Sequence, residues 1–275
     1  MIIQKTNLYT NPTFCSAHRV YAKKAVENFK SFESSHIHTT TNLFREDLDW
    51  LHLINYAIRH FADKAKVNTY SLACSDGSEA YTFAIAIMEK CKENFAKFLP
   101  VKAFDIDPEM LNAAKSGRIN IYGGEFNVVD RLGINMRKYF INPAYPKQFT
   151  DDEVYYYVNS SSYEPVQCLK DGVEFKQSDI LTELKKIEDD GNSIVMCRNV
   201  LPYLDKNYIN EIAEIAGKKL KKGSLFVIGN YDQRTDIEAK MLENGFYKPF
   251  INHDNIFECG DSNELRNRLL MGYLI

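Results

Sequence analysis

Ser71-Leu72-Ala73-Cys74-Ser75-Asp76-Gly77-Ser78-Glu79-Ala80-Tyr81-Thr82 is the stretch that decides the architecture. Val67 to Ala73 reads as a strand, the polar residues after it as a turn, and Ser78 to Phe98 as one long helix. Gly77 permits a backbone conformation, or a close approach, that a side chain would obstruct. The helix start that follows presents unpaired amides, which suit an anionic group. No three-glycine dinucleotide pattern is present, and one glycine in a polar turn also occurs in ordinary loops.

One strand-helix unit later comes Phe104-Asp105-Ile106-Asp107-Pro108. Val101 to Ile106 is the second strand, and Asp105 at its tip can accept bonds from two ribose hydroxyls. Asp107 is better explained as a helix cap, with Pro108 in the first helical position, where no amide donor is needed. Glu79 is placed to face a cofactor ammonium; its plainer role is an acid in the first turn of a helix. Asp179 ends another strand and is a candidate for the adenine edge, although Ser178-Asp179 also makes a good helix start. Ile106 and Ile180 can line a base or simply belong to the core. Ala73 closes the first strand and joins the cofactor set.

Outward from these loops the chain alternates strand and helix, as in a parallel sheet covered on both faces. Ser193 to Cys197 and Ser224 to Gly229 read as buried strands, and Asp205 caps a helix running toward Lys222. Ile119 to Phe140 reads as helical pieces, and a short strand pair is expected from Tyr155 onward. The carboxyl-terminal part adds a helix over 237–244 and one or two late strands. Residues 18 to 65 read as helical, with candidates at Arg19 to Phe32 and from Asp47. The expected division is therefore 1–65, a small helical domain, and 66–275, the α/β domain.

The chain has 275 residues, with 34 basic and 37 acidic side chains and a net charge of −3. That balance offers no global attraction to nucleic acid or an acidic membrane. The lysines from Lys218 to Lys222 fit a solvated helix end before Gly223. The six cysteines show no paired spacing for zinc or redox work, so no metal is expected. Cys74, Cys91 and Cys197 read as small buried thiols. No signal-like start or membrane-length apolar run appears, and the expected location is cytoplasmic.

Four blocks in order carry a resemblance: Thr40-Thr41-Asn42-Leu43-Phe44-Arg45-Glu46, the loop from Ser71 to Thr82, Phe104 to Asp107, and Cys197-Arg198-Asn199-Val200-Leu201-Pro202-Tyr203. They are similar to the chemotaxis receptor glutamate methyltransferase family, over roughly residues 16 to 230. The resemblance implies a Rossmann-like methyltransferase sheet that uses S-adenosylmethionine and releases S-adenosylhomocysteine. A small helical amino-terminal domain and sometimes a small antiparallel subdomain accompany that sheet. It also implies that Arg45 and Tyr203 lie near the transferring methyl group, that Arg198 is a further active-site arginine, and that Asn199 shapes the same strand edge. Glu79 and Asp105 match cofactor contacts, and Asp179 falls where the family usually has an adenine-contact asparagine. The acceptor implied is a protein glutamate, such as one on a helical receptor domain.

Departures bear on that acceptor. Ser78 replaces the first of paired glutamates, Ala80 replaces a proline, and Gly229-Asn230-Tyr231-Asp232 replaces a glycine-histidine-serine-glutamate segment. Two alternatives therefore stand beside the protein-glutamate reading. One is a methyltransferase for another carboxylate or a small molecule; the other is an inactive cofactor-binding regulator. From the residues alone, Arg45 can instead pair with Glu46 or Asp49, and Tyr203 can be an amphipathic lid.

Overall fold

The computed structural model describes residues 41–117, 119–121, 126, 129–141, 161–250, 253 and 255–260. The helix expected over Arg19 to Phe32 lies outside them. Among the described residues the main body is a seven-stranded sheet, ordered β6-β2-β1-β7-β8-β10-β9. Its strands are β1 (Asn68–Leu72), β2 (Val101–Asp105), β6 (Val173–Gln177), β7 (Ser193–Met196), β8 (Leu225–Val227), β9 (Phe246–Tyr247) and β10 (Ile256–Cys259). The first five in spatial order run parallel; β10 is antiparallel to both β8 and β9. This is a mixed α/β, Rossmann-like fold. The order of winding reverses between β1 and β7, and a crevice for ligands opens at the carboxyl ends of strands at such a point.

Both sheet faces are buried. On β7, Ile194 and Met196 point into one apolar cluster, while Val195 and the following Cys197 point into the other. Such strands read as continuous apolar runs because neither side meets water. The first cluster contains α1 (Trp50–His60) and α2 (Ser78–Lys90). The second contains α5 (Ile180–Lys186), α6 (Lys206–Lys219) and α7 (Ile237–Glu243). In α1, Asp49 accepts the amide of His52, and Trp50, Leu53, Ile54 and Ala57 face inward. The described amino-terminal helix thus shares its core with the α/β body.

The caps follow the sequence closely. Asp107 accepts the amides of Glu109 and Met110 at the start of α3 (Pro108–Ser116), and left-handed Gly117 ends it. Asp205 accepts the amide of Tyr208 at the start of α6. Two expectations need correction. The helix from Ser78 stops at Lys90, because Lys92 has φ +46° and the chain continues as a 3-10 turn over Lys92–Phe98. The region from Ile119 to Phe140 is not wholly helical. It contributes β3 (Ile119–Ile121) and β4 (Phe140–Ile141), which flank β5 (Ser161–Pro165) in a separate antiparallel sheet. One more short helix, α4 (Gln167–Asp171), leads into β6.

Candidate active site

The loop after β1 is bent by three residues with positive φ: Ala73 (61°), Ser75 (52°) and Gly77 (87°). Gly77 is required by packing as well as by conformation. A Cβ there would lie 2.7 Å from the Phe175 ring and 3.2 Å from the Ala114 Cβ. The glycine lets the loop press down onto β6 and α3, so the turn is fixed from beneath.

Asp105 ties this loop to the tip of β2. Ser75 donates its amide to one carboxylate oxygen at 2.7 Å, and Asp107 donates to the other at 2.9 Å. A carboxylate offers about four acceptor positions, and with the Ile106 amide also turned toward this one room is left for a ribose hydroxyl. Burial pushes the Asp105 carboxyl above its ordinary range, and the amides of Asp107 and Ser75 partly offset this.

Glu79, in the first turn of α2, crosses the winding reversal. It accepts from Ser71 Oγ at 2.6 Å and from Arg198 Nη1 at 3.1 Å. Burial raises its carboxyl, with Arg198 and Ser71 opposing. Arg198 follows β7, and its side chain is 2 % exposed. Its other terminal nitrogen donates to Asp47 at 2.5 Å, and its guanidinium lies 4.7 Å from the centre of the Trp50 ring.

In the sequence Asp47 marks only a helix start, yet in the structure it is the centre of the cluster. Besides Arg198 it accepts from Asn199 Nδ2 and sits 3.6 Å from Arg45 Nε, while its carbonyl accepts from Asn255 Nδ2. Arg45 therefore pairs with Asp47, with its guanidinium also 5.3 Å from the Tyr231 ring centre. Asp232, which the sequence marks only as a departure standing where the resembling family has a glutamate, is the second participant. Fully buried, it accepts the amides of Gly229, Asn199 and Leu201 and so clamps the loops after β7 and β8 together. Burial raises its carboxyl to about 6 despite those amides and nearby Arg198. The only local sign of this role is an acid three residues beyond a strand-ending glycine.

The remaining candidates separate. Asn199 has φ +58° and lies over Gly229, where any Cβ would meet its Oδ1 at 2.2 Å. Tyr203, on the 3-10 turn Leu201–Tyr203, is 37 % exposed at the rim. Asp179 caps α5, accepting from Thr182 N, Thr182 Oγ1 and Tyr208 Oη. Burial raises its carboxyl, but those hydrogen bonds outweigh this and leave it below its ordinary value. Ile106 is exposed and Ile180 is buried in the second cluster, so the two do not form a matched pair of walls. Ala73 packs against that same cluster. Burial raises the Cys74 and Cys197 thiols well above their usual range, which leaves them protonated and inert.

Two buried atoms at this crossing have no partner: the Arg198 Nε donor and the Asn199 Oδ1 acceptor. Buried polar atoms are normally paired. A donor and an acceptor left over beside Glu79 suit a ligand carrying both a carboxylate and an ammonium, and Asp105 suits its ribose. These are the polar ends of S-adenosylmethionine.

The fold and this crossing define an S-adenosylmethionine-binding domain of the Rossmann-like class. The sequence profile of the CheR methyltransferase, SAM binding domain, matches residues 39–245, and the chain belongs to that family. It is 29% identical over 201 residues to a chemotaxis protein methyltransferase of Borreliella burgdorferi, covering 69% of this chain and 62% of that protein. A probable chemotaxis protein methyltransferase of Rhizobium etli is 26% identical over 213 residues, covering 74% of this chain and 71% of the relative. Among solved structures, a TehB-like SAM-dependent methyltransferase of Corynebacterium glutamicum aligns over 74% of this chain and 84% of its own, with 12% identity and a TM-score of 0.37.

Proposed function

We propose that the protein forms a methyl ester on a carboxylate, with a protein glutamate as acceptor and S-adenosylhomocysteine as the second product. The observation that carries this reading is the placement of Arg45. It is held beside the cofactor cluster through Asp47, with 24% of its side chain exposed.

When bound, S-adenosylmethionine supplies a methyl group on a positively charged sulfur. The chain's own task is then alignment. A glutamate has an unperturbed pKa of about 4.3, so it arrives as an anion and needs no general base. Arg45 holds the spectator oxygen from one side; a symmetric clamp would quiet the attacking oxygen as well. Tyr203 orients the acceptor or the donor's methyl-bearing end through its hydroxyl. Glu79 and Asn199 hold the donor's ammonium, Arg198 Nε its carboxylate, and Asp105 its ribose. Opposite charges disappear as the ester forms, so excluding water favours the reaction over its charged ground state.

Two measurements test this. Calorimetry with S-adenosylhomocysteine should show binding with a dissociation constant on the order of micromolar, within the usual range for enzyme ligands. Asp105→Ala should weaken it about tenfold, the effect of roughly 1.4 kcal/mol. Incubation with labelled methyl donor and lysate of the source cell should leave base-labile label on protein. Label confined to small molecules would reject the protein acceptor, and a folded chain that ignores S-adenosylhomocysteine would reject the enzyme.

A further inference from the structure

Tyr231 stands at the mouth of the cluster on the loop after β8, 46% exposed. Two guanidiniums converge on its ring. That of Arg45 lies 5.3 Å from the ring centre and that of Arg234 lies 4.9 Å away. An aromatic face attracts each cation singly, but bringing two together raises the positive potential between them. Arg45 is answered by Asp47. Arg234 is exposed and has no carboxylate partner among the described residues. Of the two acids nearest in sequence, Asp232 is turned inward and occupied by three backbone amides. Asp236 is engaged instead with Lys206, at 2.7 Å.

The platform is rigid where it must be. Asp232 anchors the 3-10 turn Asp232–Arg234 to the amides of Asn199 and Leu201, the same loop that carries Arg198 and Tyr203. A contact path runs from Arg234 to Tyr231, Arg45, Asp47, Arg198 and finally Glu79. An arginine already laid on an aromatic ring has less side-chain freedom to lose on meeting a ligand.

We propose that Arg234, resting on Tyr231, is the specificity-determining residue that meets the acceptor carboxylate at the rim and delivers it to Arg45. This rests on reading the chain as a carboxylate methyltransferase. Because the contact forms on arrival and is given up at the reacting position, it should act on KM and leave kcat alone. Being exposed, it should weaken with salt.

The test uses the full chain, S-adenosylmethionine and poly-L-glutamate as acceptor probe, with base-labile methyl label as readout. Arg234→Ala should raise KM about tenfold, with kcat and S-adenosylhomocysteine affinity unchanged. Arg234→Lys should recover part of the loss, and added salt should narrow the gap between native chain and variant. Native KM in Arg234→Ala overturns the proposal. So does a parallel fall in kcat and S-adenosylhomocysteine affinity, which marks a structural role. A native chain that binds S-adenosylhomocysteine but neither binds nor labels poly-L-glutamate overturns it too. Absence of S-adenosylhomocysteine binding in the native chain is a different failure, removing the methyltransferase reading on which the proposal stands.

Discussion

The Asp47 carboxylate holds three groups, those of Arg45, Arg198 and Asn199, from two parts of the chain, and its loss should be felt in both stability and ligand binding. Removing one partner of a buried ion pair strands the other. Asp47→Ala leaves Arg198 with Glu79 alone, and we expect a loss of about 3 kcal/mol, at the low end for such breaks, in urea denaturation. Asp232 sets a pH dependence of opposite sense to the usual carboxylate. Its folded pKa of about 6 lies above the ordinary value near 3.9, so the folded state keeps a proton that the unfolded chain has released. Its contribution to stability is full below about pH 4 and declines until about pH 6. Each tenfold difference in proton affinity between the two states is worth about 1.4 kcal/mol, so the decline amounts to roughly 3 kcal/mol. Asp232→Asn should flatten that part of a stability profile measured across pH 4 to 7; an unchanged slope would assign it to another group. At this scale Glu79 and Asp105 stood out as candidates because one sits at a helix start and the other at a strand tip, whereas Arg198 stood out only through the family resemblance. Asp47 was not, since its bond to Arg198 joins residues 151 positions apart, and no local pattern announces such a partner.

At the scale of elements, the β1 turn is the most constrained piece. Gly77→Ala must place an L side chain at φ +87° and drive its Cβ into the Phe175 ring. The left-handed conformation alone costs about 1–2 kcal/mol, and overpacking typically adds about 1–3 kcal/mol. We expect about 3 kcal/mol less stability by chemical denaturation, near the middle of the combined range. A companion Phe175→Leu change should return part of it, and no recovery would place the cost in the backbone alone. Strands and caps were readable because buried apolar runs and Asp-Pro starts are local signals. The break after Lys90 was not, because Lys92 adopts a left-handed conformation that its residue type does not advertise. β3 and β4 were missed because strands of three and two residues are too short to show a period.

For the whole molecule, ligand and fold are linked. S-adenosylhomocysteine at about 100 times its dissociation constant should stabilise the folded chain by about 2.7 kcal/mol through mass action. Asp105→Ala should reduce that gain at the same ligand concentration, and thermal denaturation with and without ligand measures both. The layered sheet covered on both faces was legible from the alternation of strands and helices, and its Rossmann-like character from the family resemblance. The docking of the described amino-terminal helix into the main core was not, because amphipathic spacing does not say what a face packs against. Among the described residues no helix is long and apolar enough to cross a membrane.

The insertion of β10 between β8 and β9 has an effect on when the site is finished during synthesis. A ribosome that has delivered everything through β9 has made every acid and arginine of the crossing, yet β8 still shows a bare edge. Asn255, on the threshold of β10, supplies the bond to the Asp47 carbonyl. The arm that carries Arg45 is therefore latched only once the residue leading into the last of the described strands has emerged.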